Sequence, residues 1–404
     1  MKLTTPLAEL NKIVIAGIRN AGKSSLLNNL FQKDVAIASD TPGTTTDPVT
    51  RKIELGRIGM CAVTDTAGID DDGALGEKRI AKAREQMISS HMILFASPGH
   101  LPLTSHEREL RDWLDSRNLP WLGILTFADR PVDPEKKEFF PESKQVVQNN
   151  LDPASARQLV KAIEEFDRQL EKEISPVHGL VSEQELVLLV TPQDLAAPKG
   201  RLILPQVETI RDILDRDCAA LIIKERELYS FYHRLGMRPS LVITDSQAFH
   251  KVAADIPEDQ PLTSFSLLFA RKKADLAWFI KSLSALDNIK DKGQILVMEA
   301  CSHHCQADDL ARVKIPRLFR QLVGARVKFT YARQLPKDPR NIDLVIHCGG
   351  CMITRRVMMN RLEFFKTHGI PMLNFGLFLA WANGLLPRAL EPFDELAPLY
   401  SDLN

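Results

Sequence analysis

The sequence GIRNAGKS at residues 17–24 constrains the fold of this chain more than any other segment. It matches the pattern GxxxxGKS, follows the apolar run at residues 13–16 and precedes a helix-like stretch at residues 25–30. Glycines in such a loop let backbone N–H groups converge on phosphate oxygens, and the helix N-terminus adds its positive dipole end. The segment therefore predicts a strand, a phosphate-binding loop and a helix at the start of a nucleotide-binding α/β domain.

Side chains in this loop and just after it predict how Mg²⁺ and the phosphates are held. Lys23 is expected to reach the β- and γ-phosphates, and Ser24 is expected to ligate Mg²⁺. The segment PGTTTD at residues 42–47 resembles the first switch of a GTPase. In that switch, a threonine closes on Mg²⁺ and the γ-phosphate, and the spacing favours Thr45 for this role.

A second GTPase motif, DTAG at residues 65–68, matches the pattern DxxG. Asp65 would hold the metal through water, and the Gly68 N–H would contact the γ-phosphate. In this order, the motifs resemble those of the translation-factor-like GTPases of the TrmE and Era type. The predicted catalytic residues are Lys23, Thr45 and Gly68. The predicted nucleotide-binding residues are Gly17, Asn20, Ala21, Gly22, Lys23, Ser24, Ser25, Thr44, Thr45, Asp65, Gly68 and Asp129.

Two further positions bear on the rate of GTP hydrolysis. Ile69 follows Gly68, where Ras-like enzymes use a glutamine to orient water. Because an apolar side chain cannot polarise water, we expect slow intrinsic hydrolysis. Asn20 stands where TrmE-type GTPases use an asparagine to bind K⁺, and the resemblance implies a K⁺ ion that supplies the charge of an arginine finger. We therefore predict a slow, K⁺-stimulated GTPase.

The motif that reads the guanine base is incomplete. The pattern NKxD is expected after the apolar run at residues 122–125, but residues 126–129 read TFAD. Asp129, which would pair with the guanine N1–H and amino group, is present. A threonine and a phenylalanine replace the asparagine and the lysine. We expect GTP rather than ATP as the nucleotide, and weakened base selectivity stays open.

Soft metal ligands cluster in two short segments far downstream. Cys301 and His303 form a CxH pattern, and after the 43 residues 304–346 comes HCGGC at residues 347–351. Thiolates select Zn²⁺ or iron–sulfur clusters, and the two glycines remove the steric obstacle to a tight CxxC turn. By chemistry alone, a Cys₃His zinc site and a [4Fe–4S] cluster held by three cysteines fit equally well. Cys305 is a further candidate ligand.

Strand-like and helix-like runs alternate along the chain, which predicts an α/β fold with parallel pairing and a doubly wound sheet around the phosphate-binding loop. A polar, proline-bearing stretch at residues 131–152 is expected to be a loop or a short irregular insert. The predicted strands are 13–16, 60–64, 92–96, 121–126, 186–190, 219–223, 241–244, 264–269, 294–298, 327–331 and 344–347. The predicted helices are 75–89, 105–117, 152–175, 206–215, 274–285, 308–321 and 354–367.

Composition and charge argue against several classes of protein. Lys+Arg and Asp+Glu balance at 52 each, so we expect no bulk attraction to nucleic acid or to an anionic membrane. The N-terminus carries no signal-peptide pattern, and no run of about 18 apolar residues is present, which favours a cytoplasmic protein. In a reducing compartment, clustered cysteines bind metal more often than they form disulfides. Cys61 and Cys218 stand apart and are expected to be buried small hydrophobes.

The pattern CxH followed at a distance by HCxxC, C-terminal to a TrmE-like GTPase domain, resembles the [FeFe]-hydrogenase maturation GTPase family (HydF). The stretches at residues 190–205 and 209–215 are also similar to that family, so the resemblance spans essentially the whole chain. It implies three α/β domains: a GTPase domain at 1–175, a small dimerisation domain at 183–268 and a [4Fe–4S] domain at 269–404.

This resemblance also implies the residues and partners of the second site. Cys301, Cys348 and Cys351 would be the cluster thiolates, and His303 or His347 would be a weak fourth ligand. Members of the family act as scaffold or carrier for the diiron precursor of the hydrogenase H-cluster. They form homodimers, receive the precursor with the help of two radical-SAM maturases and deliver it to the apo-hydrogenase.

Two other functions compete with this interpretation. A GTPase that acts on tRNA or the ribosome, with a structural zinc, is disfavoured by the neutral charge balance and by the lack of a basic stripe interleaved with aromatic residues. An enzyme that uses the cluster for radical chemistry would carry a CxxxCxxC signature, which the sequence lacks. We therefore favour a GTP-dependent scaffold and carrier for metallocluster assembly.

Overall fold

A computed structural model describes residues 10–31, 38–39, 50–71, 73–170, 173–192, 202–300 and 309–400. The chain divides into two compact units, residues 1–172 and 173–404. Both units are built from parallel or mostly parallel sheets with helices packed against them. The predicted α/β class is therefore confirmed.

The first unit is built on one seven-stranded sheet. Its strands are β1 (Asn11–Ala16), β2 (Ala38–Ser39), β3 (Thr50–Leu55), β4 (Gly59–Asp65), β5 (Met92–Pro98), β6 (Trp121–Thr126) and β7 (Gln145–Gln148). They lie in the order β2-β3-β4-β1-β5-β6-β7. The pairs β2–β3 and β3–β4 are antiparallel, and the other pairs are parallel. The strand order reverses at β1, because β4 lies on one side of it and β5 on the other.

Helices cover both faces of this sheet. They are α1 (Lys23–Leu30), α2 (Gly73–Ser89), α3 (Ser105–Ser116), α4 (Pro134–Phe139) and α5 (Pro153–Gln169). Alternate residues of a strand point to opposite faces. Ile13 and Ile15 of β1 accordingly share a core with α1 and α5, whereas Val14 and Ala16 share a core with α2 and α3. This is the doubly wound arrangement that the sequence predicts.

The segment at residues 131–152, expected to be a loop, contains both α4 and the edge strand β7. The strand has the sequence QVVQ, which is too short and too polar to show a strand pattern by itself. Its pairing with β6 makes it a strand, and its last residue, Gln148, is fully buried. The loop prediction was wrong because this strand depends on tertiary contacts rather than on its own sequence.

The second unit contains two four-stranded parallel sheets. The first has β8 (Leu186–Val190), β9 (Ala219–Ile223), β10 (Leu241–Thr244) and β11 (Leu262–Ser264), in the order β11-β10-β8-β9. The second has β12 (Gln294–Met298), β13 (Lys328–Ala332), β14 (Leu344–His347) and β15 (Met372–Asn374), in the order β13-β12-β14-β15. The helices of this unit are α6 (Leu204–Leu214), α7 (Leu228–Tyr232), α8 (Phe249–Asp255), α9 (Phe265–Lys273), α10 (Leu276–Lys281), α11 (Ile315–Val323), α12 (Arg355–Thr367), α13 (Phe375–Ala382), α14 (Leu386–Leu390) and α15 (Ala397–Tyr400).

Both sheets of the second unit contribute to one hydrophobic core. Hydrogen bonds link a strand of each sheet to a helix that follows the other sheet in the chain: Thr263 Oγ1 of β11 donates to the Ala389 carbonyl of α14 at 3.0 Å, and Asn374 Nδ2 of β15 donates to the Ser266 carbonyl of α9 at 2.9 Å. The division of this part of the chain into two domains stays a prediction.

The apolar run at residues 264–269, expected to be a strand, is mostly helical. Ser264 ends β11, and its Oγ accepts a hydrogen bond from the Leu267 N–H at 3.3 Å. The serine thereby caps α9, which begins at the next residue. An apolar run of this length does not distinguish a buried strand from a buried helix, so the strand prediction was wrong.

The two cysteines predicted to be buried small hydrophobes are buried. Cys61 lies in the core of the first unit and Cys218 in the core of the second. Burial raises the pKa of the Cys61 thiol to about 12, as expected for a thiol without a structural cation beside it. In the part of the chain that the structure describes, no helix is both long and apolar enough to cross a membrane.

Candidate functional site: a nucleotide pocket and a thiol site

The phosphate-binding loop lies at the point where the strand order of the first sheet reverses, between β1 and α1. A Cβ atom at Gly17 would lie 2.1 Å from the Ala96 carbonyl oxygen at the end of β5, so only glycine fits. Asn20 and Gly22 have positive φ angles of 57° and 78°. Positive φ angles of this kind allow consecutive backbone N–H groups to converge on an anion, and the Asn20 side chain stays exposed.

Lys23 lies against the loop and is almost buried. Its Nζ donates to the carbonyl oxygens of Ile18 at 2.7 Å and Gly17 at 3.2 Å. Burial lowers the pKa of Lys23, and the negative charges of Asp65 and Asp70 oppose that shift. The ammonium group is therefore fixed in the loop, where a nucleotide's phosphates would lie.

Ser24 and Asp65, which are predicted to hold Mg²⁺ together with Thr45, are in direct contact. Ser24 Oγ donates to Asp65 Oδ2 at 2.6 Å. Asp65 Oδ1 is buried and has no hydrogen-bond partner among the described residues. Burial raises the pKa of Asp65, and the Ser24 hydrogen bond and Lys23 oppose the rise. A hydroxyl beside an unsatisfied carboxylate oxygen fits a hard cation such as Mg²⁺, which prefers oxygen ligands.

The DxxG segment packs directly on the phosphate-binding loop. A Cβ atom at Gly68 would lie 2.5 Å from Arg19 Cγ and 3.0 Å from Arg19 N. The Ile69 N–H donates to the Gly17 carbonyl at 3.3 Å. Asp70 Oδ1 accepts a hydrogen bond from the Arg19 N–H at 2.6 Å, so a carboxylate lies on a backbone donor of the loop. Sequence reasoning did not find Asp70, because it lies outside the DxxG pattern.

The incomplete base motif still connects to the phosphate-binding loop. Thr126 is buried, and its Oγ1 lies 2.8 Å from the Ala21 carbonyl oxygen. Phe127 has a positive φ of 62°, and its ring packs edge-on against His100 with the centroids 5.1 Å apart. The Asp129 side chain is 47% exposed, which leaves its carboxylate available to a ligand.

A buried amide network supports the loop from behind, and no motif in the sequence predicts it. Asn150 Nδ2 donates to the Gly22 carbonyl at 3.1 Å. Asn29 Nδ2 lies 3.2 Å from the carbonyl oxygens of both Asn150 and Asp152. Gln148 Nε2 donates to Asn29 Oδ1 at 3.0 Å. The network joins α1 to the residues that begin α5.

The thiol site lies at the carboxyl edge of the second sheet of the second unit. β14 ends at His347, and the Cys348 N–H donates to the Met298 carbonyl at 2.9 Å, at the end of the neighbouring β12. The Ala300 N–H donates to Cys348 Sγ at 3.1 Å. The backbone that leads to Cys301 therefore lies beside Cys348.

The CxxC turn brings two thiol groups together. Gly350 has a φ of +65°, and a Cβ atom there would lie 2.3 Å from Met358 Cε on α12. No atom lies within 4 Å of the Cβ position at Gly349. Burial, followed by the neighbouring Cys348, raises the pKa of Cys351 to about 11. Two thiols on one tight turn fit thiolate ligation of a soft metal centre, which displaces the thiol protons on binding.

His347 is fully buried, and both of its ring nitrogens have partners. Arg361 Nη1 lies 2.7 Å from Nε2, and since a guanidinium only donates, Nε2 is the acceptor. Nδ1 therefore carries the proton and donates to the Cys348 carbonyl at 2.6 Å. For His347 to act as a metal ligand, Arg361 would have to leave the Nε2 lone pair.

Several predicted site residues lie outside the described residues. They are Thr44 and Thr45 of the first switch, and Cys301, His303 and Cys305 of the CxH segment. Their roles stay predictions.

Three family models match the chain. One, described as a 50S ribosome-binding GTPase, matches residues 12–127, and together with the strand, loop and helix at residues 11–30 it defines the first unit as a P-loop GTPase domain. The Hydrogen maturase F dimerization domain matches residues 177–274, and the Hydrogen maturase F tetramerization domain matches residues 277–392. These two models together span more than half of the 404 residues. The chain belongs to the hydrogen maturase F family.

Two curated relatives each match about a third of the chain. The tRNA modification GTPase MnmE of Sinorhizobium medicae is 34% identical over 122 residues, which are 30% of this chain and 26% of that protein. GTPase Der of Campylobacter concisus is 32% identical over 129 residues, which are 32% of this chain and 28% of that protein. The chain thus spans about a quarter of the length of these relatives.

Solved structures with a similar fold include two GTPases. Aquifex aeolicus Era bound to GDP and AlF₄⁻ shares 18% identity, with a TM-score of 0.33 over 56% of this chain and 98% of that one. The G domain of the T. maritima FeoB iron transporter shares 18% identity, with a TM-score of 0.29 over 39% of this chain and 99% of that one.

Proposed function

We propose that this protein is a GTP-dependent scaffold and carrier that assembles the diiron precursor of the [FeFe]-hydrogenase H-cluster and delivers it to the apo-hydrogenase. One observation carries the proposal: a chain of the hydrogen maturase F family joins a phosphate-binding loop to paired thiols, Cys348 and Cys351, at the end of a sheet strand. Neither site alone implies a carrier. Their combination gives one protein a nucleotide-controlled switch and a place to hold cargo.

In the nucleotide half of this function, the protein binds GTP and uses its hydrolysis as a timing device. Lys23 neutralises charge on the β- and γ-phosphates, and the loop N–H groups donate hydrogen bonds to the phosphate oxygens. Ser24, Thr45 and Asp65 would hold Mg²⁺, which neutralises charge on the transferred phosphoryl group when bound. The γ-phosphate orders the switch segments, and its loss releases them, so hydrolysis changes the contacts that partners meet.

Hydrolysis is slow and K⁺-stimulated in this proposal, because Ile69 cannot orient water and Asn20 offers a K⁺ ligand at the loop. The test compares turnover in KCl and NaCl at matched ionic strength, for the natural protein and for Asn20→Ala. We expect faster turnover in KCl and loss of the difference in the variant. Equal rates in the two salts for the natural protein contradict the role of K⁺.

In the cluster half, Cys301, Cys348 and Cys351 would ligate a [4Fe–4S] cluster. Three cysteine ligands leave one iron of such a cluster without a thiolate, which supplies a position for reversible attachment of the diiron cargo. Histidine would be a weak fourth ligand, and His303 is the better candidate, since both ring nitrogens of His347 already have partners. A weak ligand suits a carrier, which must release what it holds.

The partners follow from this role. Two radical-SAM maturases would help to supply the precursor, and the apo-hydrogenase would accept it, in the cytoplasm and without nucleic acid or membrane. The dimerization and tetramerization domains for which the matching family models are described support a homodimer or a larger homo-oligomer.

The decisive experiment is anaerobic reconstitution with iron and sulfide, followed by Fe, S and Zn analysis and EPR of the reduced protein. We expect about four Fe and four S per chain, with an S = ½ signal that Cys348→Ala loses. The matched control is Cys218→Ala, which removes a buried thiol elsewhere in the same unit and should keep the cluster. One tightly held zinc without that signal would instead indicate a zinc-bearing GTPase.

A second measurement separates a carrier from an enzyme. The reconstituted, precursor-loaded protein is mixed with apo-hydrogenase at increasing ratios, and hydrogenase activity is recorded. A carrier activates in proportion to the amount added, up to one cargo per acceptor. Activation of many acceptors by one loaded molecule contradicts the carrier role.

A further inference from the structure

Arg361 on α12 links the ends of β13 and β14, the two strands on either side of β12. Its Nη1 donates to His347 Nε2 at 2.7 Å, and its Nη2 donates to the Arg333 carbonyl, just beyond β13, at 2.6 Å. Both acceptors are neutral, because His347 is in its Nδ1–H form. The two hydrogen bonds therefore fix the position of the guanidinium. Because both acceptors are neutral, neither compensates its positive charge.

Arg361 is half-buried, and its surroundings differ from those of two buried lysines of this protein. Lys136 pairs with Glu107 at 3.0 Å, and Lys273 pairs with Glu173 at 3.2 Å. Among the described residues, no carboxylate lies within ion-pair distance of Arg361. Burial lowers the pKa of Arg361, and Cys348 is the charge that opposes this shift.

A cation that is partly removed from water and has no counter-charge is destabilised, by less than a fully buried one, unless an anion binds beside it. An arginine cannot escape this cost by losing its proton, since it stays charged in proteins. Cys348, whose carbonyl oxygen accepts the His347 Nδ1–H, is a proposed cluster ligand, so Arg361 is linked to it through one side chain. A thiolate-ligated cluster carries negative charge, so its position beside Arg361 would satisfy both groups.

We propose that Arg361 is the charge partner of the metal cluster: its guanidinium stabilises the reduced cluster and, through His347, fixes the carbonyl of Cys348. This inference rests on the proposed [4Fe–4S] site. A nearby positive charge favours the form with one more electron, so Arg361 raises the reduction potential. His347 is then a positioning residue: it accepts a hydrogen bond from Arg361 and donates one to the Cys348 carbonyl, and it does not bind the metal.

The test is an EPR-monitored redox titration of the reconstituted full-length protein. Arg361→Met removes the charge while keeping an unbranched side chain. We expect the Fe and S content to be unchanged. At a fixed potential near the natural midpoint, the ratio of reduced to oxidised cluster should fall about tenfold. This fall corresponds to a midpoint potential lower by about 59 mV for one electron. Arg340→Met removes an exposed cation of the same unit, 83% exposed and paired with Asp338, and should leave the titration unchanged.

Two further variants separate charge from structure. Arg361→Lys keeps the charge and should titrate near the natural protein, whereas a fall as large as that of Arg361→Met would overturn the role of charge. If Arg361→Met does not fold, Arg361→Gln, which keeps a donor for His347, replaces it with the same expectation. A natural potential in the uncharged variant overturns the inference. Failure of the natural protein to take up iron and sulfide instead refutes the proposed function.

The role of His347 has its own spectroscopic readout. Pulsed EPR detects the hyperfine coupling of a nitrogen bound directly to a cluster iron. We expect His347→Gln to leave the nitrogen couplings of the natural protein unchanged, because the ring is held by Arg361 and the Cys348 carbonyl. Loss of a strong nitrogen coupling in that variant would make His347 a ligand and overturn its positioning role.

Discussion

The nucleotide pocket and the thiol site occupy equivalent places in their sheets, but they differ in whether the protein supplies negative charge beside the cation of the site. Each lies where parallel strands end and a helix begins, α1 after the loop and α12 after the CxxC turn. Lys23 lies among the negative charges of Asp65 and Asp70, whereas the hydrogen bonds of Arg361 within the described part of the chain go to neutral acceptors. In the nucleotide pocket, carboxylates of the protein compensate the charge of Lys23. At the thiol site, the proposed cluster would compensate the charge of Arg361.

The largest expected effect is a loss of stability, and it is expected where a buried cation has its counter-charge inside the protein. Lys136 and Glu107 are both fully buried, with Nζ and Oε1 3.0 Å apart. Lys136→Met leaves Glu107 charged and unpaired, and we expect the free energy of unfolding to fall by about 3–5 kcal/mol. Chemical denaturation measures it. Lys161→Met, which removes an exposed lysine of α5, should change that free energy by less than about 0.5 kcal/mol, and equal effects would refute the contrast.

A smaller but specific effect is expected at the phosphate-binding lysine. Lys23→Ala should weaken GTP binding roughly a hundredfold, because hydrogen bonds from a charged donor to phosphate are lost. Titration with a fluorescent GTP analogue measures this loss, and the iron content of the reconstituted variant should be unchanged. Joint loss of nucleotide and iron would show that the two sites are not independent. Lys161→Ala is the control for a change in overall charge.

The smallest expected effect is an increase, rather than a decrease, in nucleotide affinity. Asp70 accepts a hydrogen bond from the Arg19 N–H of the loop, so its carboxylate competes with phosphate for that donor and repels it. Asp70→Asn should tighten nucleotide binding by up to about tenfold, or about 1.4 kcal/mol. Asp112→Asn removes an exposed carboxylate of α3 and should have no effect. Unchanged or weaker binding in Asp70→Asn would show that this contact does not oppose the nucleotide.

The sequence predicts the nucleotide pocket better than the thiol site because the pocket is local. The loop, Lys23 and Ser24 are consecutive, and their spacing alone sets their geometry. Arg361 and Asn29 gain their roles from strands and turns distant in the sequence, and no spacing rule points to them. The same limit explains the two wrong element predictions: β7 needs β6 beside it, and the helix at residues 265–273 is set by the cap that Ser264 provides.

The amide of Asn29 has a mechanical consequence. It lies in the helix that starts at the phosphate-binding loop, and it holds the carbonyls of Asn150 and Asp152 at the beginning of α5. α5 is the last helix of the first unit, after which the chain continues toward the second unit. These hydrogen bonds tie the start of α5 to the helix that begins at the phosphate-binding loop. A shift of α1 would therefore strain the Asn29 amide and, through it, the residues at which α5 begins.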